Sequence, residues 1–536
     1  MQHCRVDDAV SSICDALQHP SCQLSLPGLP PPPDTNRVLV VEAMNVTPHL
    51  ETSLEIALRL AQSGYAVDYL HYGNQLPYVE FFFRDWFRLK ELISGTLAPQ
   101  RKGLIVLHHI ARRLGLPLRL LKRTPAHQGL IGSIFSDTIL SSIDALKSFA
   151  PEGYPTLGLS VASSLISRCQ DPYVRPSDHL TLCRRLVKTY LYSYSMVEQA
   201  IRDSRYCAVV VFNGRQVSAK AAVTAAKRFS IPVFYHERGS SAEFFSLRSF
   251  QPQDRLALQR DIIEHWRTAP HHGRHGQASR YFDDKRSGSD RIWVTFTAHQ
   301  RPGLASVLLT SARRRSVTGS VITYFASSDD EVAAADDVYA RESFEWQTQA
   351  EALNALAIAC YDNGHFLLVR CHPHLSSKGP AIRRRWTELD FVDKRCRSNV
   401  QVVDSDSPIS TYELIDGSDV VATYGSTVGI EAVYWSKPSL LLSNSFYDRL
   451  DAVNQVFNSA SMKVLLSDFS LLDVSPLRAL PYGYYMQTYG EAFRLFRPSG
   501  LFDGTFGGLK LQTYNHSSLF RLLERVMRIA QQFRRQ

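Results

Sequence analysis

Between residues 321 and 442 the chain alternates short β-branched apolar runs with helical segments five times in succession. That alternation restricts the fold more than any other feature, because strands joined by helices at this spacing pair in parallel and are covered on both faces. The expected strands are 321–326, 365–370, 400–403, 419–424 and 439–442, and the expected helices are 342–363, 380–389, 410–417 and 427–435. A second, looser alternation precedes it. RVLVVE (37–42), a helix over 50–63 and a strand over 65–70 open a βαβ unit, and YCAVVVF (206–212), a helix over 216–229 and IPVFY (231–235) continue it. Two doubly wound, Rossmann-like domains facing a cleft follow as the expected α/β architecture.

A chain of 536 residues has room for two such cores plus extensions. The expected boundaries are a proline-rich extension over 1–36, a first domain over 37–295 with a helical insertion at about 78–197, a second domain over 296–480 and a helical segment over 481–536. The four prolines of LPPPPDTN favour an extended linker. Residues 265–289, rich in His, Arg, Gly, Ser and Asp, read as an exposed loop or connection, whose four histidines have no recognised ligand spacing. The aromatic stripe YVEFFFRDWFRLKELI at 78–93 reads as core.

No stretch reaches the roughly 18 to 20 uninterrupted apolar residues that a membrane span needs. MQHCR leads into Asp7 and Asp8 without a basic-then-apolar leader. The expected address is therefore cytoplasmic. Nine cysteines, an odd number without a Cys-x-x-Cys pair, point to reduced thiols. The net charge of +9 suits an anionic partner such as a sugar nucleotide, an acidic glycan or an anionic membrane face. Lys and Arg are spread along the chain with no nucleic-acid module, so nucleic acid is not an expected partner. ARRLGLPLRLLKR (111–123) suits a solvated helix face broken by Pro117 or, as the alternative, peripheral contact at an anionic membrane.

In doubly wound sheets ligands bind at the carboxyl ends of the strands. There the second half presents Ser327 and Ser328, then Arg370, His372 and Pro373, then Tyr424, Gly425, Ser426 and Thr427. A glycine-terminated strand followed by Ser426 and Thr427 at a helix start leaves free amides for a phosphate, with Glu431 one turn on, toward ribose hydroxyls. The plain alternative is that Ser426 caps the helix and Glu431 is solvated. His372, fixed by Pro373, can donate a ring N–H to phosphate, with added charge as imidazolium. In the first half, Asn213 and Arg215 follow one strand and His236, Glu237 and Arg238 follow the next. Glu237 reads as a general base, a nucleophile, or one half of an Arg–Glu pair closing the domain. Asp329, Asp330 and Glu331 read as helix-capping residues rather than Mg²⁺ ligands, so neither metal nor cofactor is expected.

FASSDDE, Trp346 with Gln349, RCHPHL, STYELID, YGSTVGIEA and SKPSLLL resemble the capsule polysaccharide biosynthesis family, bacterial glycosyltransferases of GT-B type that include CMP-Kdo transferases. The resemblance spans 324–442 and reaches more weakly to NGR and HERG. It implies metal-independent transfer of a sugar from a CMP- or UDP-linked donor to a glycan or glycolipid acceptor of a surface polysaccharide. His372, Ser426 and Thr427 would hold the donor phosphates, with Glu431 toward the nucleoside. The alternatives are polyol-phosphate transfer, sugar-nucleotide epimerisation and a non-catalytic accessory role in polysaccharide export.

Overall fold

The computed structural model describes residues 6–28, 36–44, 46–72, 75–79, 99–123, 137–289, 300–328, 342–378 and 380–511, together with residues 330, 333, 335 and 339. In the first half, β1 (Arg37–Glu42), α1 (Val6–Leu17), α2 (His49–Gln62), β2 (Ala66–His71), α3 (Pro99–Leu114) and β3 (Leu118–Leu121) come before two longer helices, α4 (Leu157–Cys169) and α5 (Leu180–Asp203). β4 (Ala208–Phe212), α6 (Val217–Arg228), β5 (Val233–Arg238) and β6 (Phe244–Arg248) complete it. Every residue of the β4 run AVVVF is buried, as a central parallel strand covered on both faces must be. β1 pairs in parallel with β2 and β4, Val38 lying beside both Val67 and Ala208.

The first sheet has the order β13-β6-β5-β4-β1-β2-β3, in which β1 to β5 are parallel and follow the doubly wound 3-2-1-4-5 order. β6 and β13 (Glu491–Ala492) add an antiparallel edge, so the chain returns to its first half after completing the second.

The second sheet, β12-β11-β10-β7-β8-β9, is parallel throughout. Its strands are β7 (Val321–Phe325), β8 (Phe366–Arg370), β9 (Val400–Val403), β10 (Val420–Thr423), β11 (Ser439–Leu441) and β12 (Asn454–Gln455). The order reverses between β7 and β10, which makes their carboxyl ends the switch point where such sheets open a crevice. α7 (Arg255–Thr268), α8 (Arg274–Ser287), α9 (Leu304–Arg315), α10 (Gln349–Asp362), α11 (Pro380–Glu388), α12 (Thr411–Gly417), α13 (Val428–Tyr434), α14 (Ser459–Ser467) and α15 (Pro476–Thr488) surround it. α10 starts on a reciprocal capping box between Thr348 and Glu351, so its helix begins at Gln349 rather than at residue 342.

Four expectations change. The extension 1–36 is no mere linker: α1 buries Val10, Ile13, Cys14 and Leu17 in the core of the first half. Residues 265–289 are mostly helical. In α8, Ala278, Tyr281 and Phe282 form one apolar stripe on α15, and Phe282 stacks on Tyr434 at 4.1 Å. Because Ile262, Tyr281 and Phe282 share a core with Ile430, Val433 and Tyr482, α7 and α8 pack with the second half although they precede residue 295. Among the described residues of the segment from 481, α15 ends at Thr488 and is followed by β13, β14 (Phe496–Gly500) and β15 (Asp503–Phe506). Residues 111–123 are the end of α3, a turn that holds Pro117 and the edge strand β3, so the expected helix face stops before Pro117. Of the aromatic stripe, only Tyr78 and Val79 lie within the described residues, as does little more than half of the expected helical insertion's first third.

A buried ion pair on α2 ties residues 22–23 and 492–496 to this core. Glu55 accepts from the backbone N–H groups of Arg494 (2.7 Å), Leu495 (3.1 Å) and Phe496 (3.1 Å). Arg59, bonded to Glu55 at 3.3 Å, donates to the carbonyls of Cys22 (3.0 Å), Gln23 (3.2 Å) and Ala492 (3.3 Å). Charges this deep persist because nearly every lone pair and proton has a partner.

Candidate functional site

At the carboxyl edge of the first sheet, Asn213 follows β4 in a left-handed conformation (φ 50°) and Gly214 comes next at φ 82°. A Cβ on Gly214 would meet the Tyr235 ring at 2.5 Å, so the turn requires glycine. The turn aims Asn213 Nδ2 at Glu237 Oε2, 2.6 Å away, while Gln253 Nε2 donates to Asn213 Oδ1 at 3.1 Å. Glu237 Oε1 accepts from the Arg238 N–H at 3.1 Å and lies 4.0 Å from His49 Nδ1. His236, Glu237 and Arg238 belong to β5 itself, which runs three residues further than the sequence pattern suggests. Arg238 turns to the C-terminal hairpin, donating to the Leu501 carbonyl at 2.9 Å and covering the Phe502 ring. Arg215 sits half-buried between the Gly214 turn and α6.

Behind Glu237 is a set of buried titratable groups that strand-end inspection of β4 and β5 alone does not reach. His236 Nε2 is 3.2 Å from Glu42 Oε2, and both side chains are buried. Burial, with Arg238 and His236 nearby, pushes the His49 imidazole well below its usual range. Burial raises the Glu51 carboxyl to about 7 despite the bond from Thr47 Oγ1 at 2.9 Å. His49 and Glu51 begin the helix after β1, a strand end whose position alone marks it for inspection.

At the second edge, the loop after β7 is held by Gln349: its Oε1 accepts from Ser327 N (2.7 Å) and Tyr324 OH (3.0 Å), and its Nε2 donates to Ser327 O (3.2 Å). Ser328 Oγ and Lys378 Nζ both donate to Asp330 Oδ1, at 2.6 and 2.9 Å. Burial alone would raise Asp330; the Ser328 bond and the Lys378 charge outweigh it and hold the carboxyl below its ordinary value. Asp329 and Glu331 lie outside the described residues, and among the described residues no group of three His, Cys, Asp or Glu side chains is arranged to hold a metal ion.

His372 follows β8 and caps the 3₁₀ turn Pro373–Ser377, its Nδ1 accepting from the His374 N–H at 3.2 Å. With Nδ1 an acceptor, the ring proton resides on Nε2. Burial, reinforced by His374 and Lys378, pushes the ring down to about 4, which keeps it neutral near pH 7 and removes the added imidazolium charge that the sequence reading allowed for. Arg370, expected among the binding residues, is buried and donates instead to the carbonyls of Asp404 (2.5 Å) and Ser407 (3.1 Å).

Beyond β10, Tyr424 OH donates to the Gln347 carbonyl at 3.4 Å, and Gly425 turns the chain at φ 103°. Ser426 Oγ accepts from Val428 N at 3.4 Å, its carbonyl accepts from Tyr447 OH, and Thr427 is exposed. Glu431 is neither solvated nor turned outward. It is 4 % exposed, accepting from Tyr412 OH at 2.7 Å and from Thr427 Oγ1 at 2.9 Å.

Next to His372 a cavity of about 260 Å³ opens between the two halves, with Ser327, His372 and Lys378 on one side and Tyr173, Arg385 and Trp386 on the other. Sequence reasoning missed Tyr173 and Trp386, which stand far from every strand end in the chain.

No family model matches the chain, and no curated protein does. Among solved structures, it is similar to the Thermosulfurimonas dismutans KpsC beta Kdo 2,4 transferase at 14% identity, covering 52% of this chain and 79% of that one, with a TM-score of 0.34. The beta Kdo 2,7 transferase of KpsC from the same organism is similar at 12% identity over 54% and 79% of the two chains, TM-score 0.31. The UDP-GlcNAc 2-epimerase from Neisseria meningitidis bound to UDP-GlcNAc is similar at 14% identity over 56% and 76%, TM-score 0.24. The fold itself is fixed by the two strand orders: two Rossmann-like domains. Among the described residues no helix is long and apolar enough to cross a membrane.

Proposed function

We propose that this chain is a metal-independent glycosyltransferase that moves a sugar from a nucleotide-activated donor, CMP-Kdo by its family resemblance, to a glycan or glycolipid acceptor of a surface polysaccharide at the cytoplasmic membrane face. The observation that carries the reading is His372: a neutral ring, held in one tautomer by the His374 N–H, at a sheet edge beside an open cavity. The second domain, with His372, Ser426 and Thr427, takes the donor, and the first domain takes the acceptor. The acceptor hydroxyl oxygen bonds to the anomeric carbon as that carbon's bond to the donor phosphate breaks. The electron pair leaves on the phosphate, whose developing charge is met by the His372 Nε2–H and the amides near Ser426. The hydroxyl proton passes to Glu237, which Asn213 and the Arg238 N–H hold in one orientation.

The test is a thermal-shift panel of CMP, CDP, UDP, GDP and ADP, with and without EDTA, on the intact protein. A ligand at ~100 times its dissociation constant adds about 2.7 kcal/mol of stability. Selective stabilisation by CMP, unchanged by EDTA, is the expected result. A response to CDP or UDP alone transfers the assignment to polyol-phosphate or UDP-sugar chemistry, which product analysis with labelled donor separates. Absence of any nucleotide response overturns the transferase reading in favour of an accessory protein.

A further inference from the structure

Residues 99–123 carry seven Lys and Arg and no Asp or Glu, and no step of the proposed transfer uses them. Their placement sorts the seven. Arg119 is bonded to Asp68 at 2.6 Å, Arg123 to Asp203 at 2.7 Å and Arg113 to Ser11 Oγ at 2.8 Å, while Lys102 is half-buried. Arg101, Arg112 and Lys122 are exposed and have no ion-pair partner among the described residues. On α3, Arg101, Ile105, His108 and Arg112 stand at i, i+4, i+7 and i+11, one face of the helix, and all four are exposed. Lys122 stands near the first turn of that face: the register of Leu70 with Leu121 puts it beside His71 at the carboxyl edge of the sheet, and burial, with Lys122 and Arg101 nearby, pushes the His71 ring down to about 4. The neighbouring α1 brings exposed carboxylates, Asp7, Asp8 and Asp15, and bounds the face on that side. The three arginines that end α9 make no comparable face, since Arg313 is bonded to Asp419 at 2.9 Å and Arg315 to Gln401 at 3.2 Å.

The last described residue lies at the same helix. Leu511 is buried against α3, its Cδ1 3.7 Å from where a Cβ on Gly103 would stand. Residues 512–536 lie outside the described residues; in their sequence apolar side chains recur at 519, 522, 523, 526, 530 and 533, and five arginines accompany a single Glu524. Apolar residues at helical spacing with arginines between them are the pattern of a segment that lies in a bilayer interface. An acidic glycan chain would match the charge but leave those apolar positions and the exposed Ile105 without a partner, which favours a bilayer. We propose that the α3 face, with residues 512–536 beside it, docks on an anionic lipid bilayer. Because Arg101 and Lys122 stand at the sheet edge that also carries Glu237, docking brings that edge to the membrane surface. The inference does not rest on the transferase reading: a protein without turnover would dock in the same way.

The experiment is vesicle flotation of the full chain with phosphatidylcholine alone and with phosphatidylcholine and phosphatidylglycerol in equal parts, at low and high salt. Binding to the anionic vesicles that weakens with salt is the expected result. Each lost cationic contact should lower partition about fivefold, so Arg101→Gln, Arg112→Gln and Lys122→Gln together should lower it roughly a hundredfold. A matched variant, Arg260→Gln, Arg280→Gln and Arg314→Gln, removes the same charge from exposed positions elsewhere and should bind like the parent. A chain ending at Leu511 should bind more weakly than the parent, and its remaining binding should still fall with the α3 substitutions. Melting temperatures check that every variant folds. Equal binding to neutral vesicles, equal loss in the two triple variants, or no loss in the α3 variant overturns the docking face. Binding that vanishes when residues 512–536 are removed overturns it too, placing the whole attachment in that segment. Binding of soluble polygalacturonate without vesicle binding assigns the face to an acidic glycan instead. The thermal-shift panel with nucleotides is read separately, so a failure of docking and a failure of the transferase reading are told apart.

Discussion

At the carboxyl edge of the first sheet, Glu42, His49, Glu51 and His236 are all buried and close on one another, whereas at the same edge of the second sheet Ser327, His372 and Ser426 are half-buried, the first two lining a cavity. Both sheets share the doubly wound strand order, so the backbone does not make the difference. The side chains do. Titratable groups packed against each other make a platform whose charge states depend on burial. Under the proposed function, small hydroxyls, a neutral imidazole and a cavity make the receptor. The comparison implies that substitutions in the platform change stability and its pH dependence, while substitutions in the receptor change ligand binding and turnover and leave stability alone.

The largest effect tests the receptor. On the proposed mechanism His372→Ala removes one donor to the leaving phosphate, and loss of such a preorganised donor lowers turnover roughly 10²- to 10³-fold. The melting temperature should stay close to that of the parent, because the ring's bond to the His374 N–H caps a single short 3₁₀ turn. Since burial holds the ring at about 4, turnover should also show no limb from this group between pH 5.5 and 8. Steady-state rates across pH, beside thermal melts, check both statements. A large loss of stability would move His372 to the platform class.

Next in size is Glu51, in the platform. Burial raises its folded value from 4.5 to about 7, so the folded state binds its proton more tightly than the unfolded chain does. Stability from this group is therefore full below about pH 4.5 and is lost as pH rises through about 7, by an amount on the order of 3 kcal/mol. Glu51→Gln should match the parent at pH 4 and exceed it at pH 8. Urea titrations at the two values decide the matter. Equal stability at pH 8 would mean that the carboxyl is better solvated than its burial implies.

What the sequence revealed follows the same division. β7, β8 and β9 were legible to within a residue or so because each is a short, largely apolar run soon followed by polar residues. The strand-end rule then led to Ser327, His372 and Ser426. α8 was not legible, since among fourteen residues only Ala278, Tyr281 and Phe282 are buried, a stripe too thin to stand out from His, Arg and Asp neighbours. β14 carries Pro498 and Gly500, which read as turn residues until Phe496 and Phe506 are seen packing beside α1 and α2. Glu431 showed the limit of motif reasoning. Its spacing from Ser426 was visible, but its bond to Tyr412, on another helix, was not. Tyr173 is of the same kind, since it meets Trp386 and Arg385 only through the approach of two domains.

The smallest effect bears on Glu431, a carboxylate of the second edge that is buried like those of the first. Tyr412→Phe deletes the hydroxyl that donates to Glu431 Oε2 and leaves the Thr427 bond to Oε1 in place. A hydrogen bond to a charged group contributes roughly 1.5–3 kcal/mol, and the surviving Thr427 bond favours the lower end. If Glu431 belongs to a platform under α13, Tyr412→Phe should destabilise the protein by about 1.5 kcal/mol and leave nucleotide affinity unchanged. If Glu431 turns outward to a ribose when nucleotide binds, the hydroxyl competes with the ligand, and its removal should tighten nucleotide binding instead. Denaturation and nucleotide titration on one variant thus assign the carboxylate to one side of the comparison, and a gain in affinity would show that the second edge, too, stores part of its chemistry in buried form.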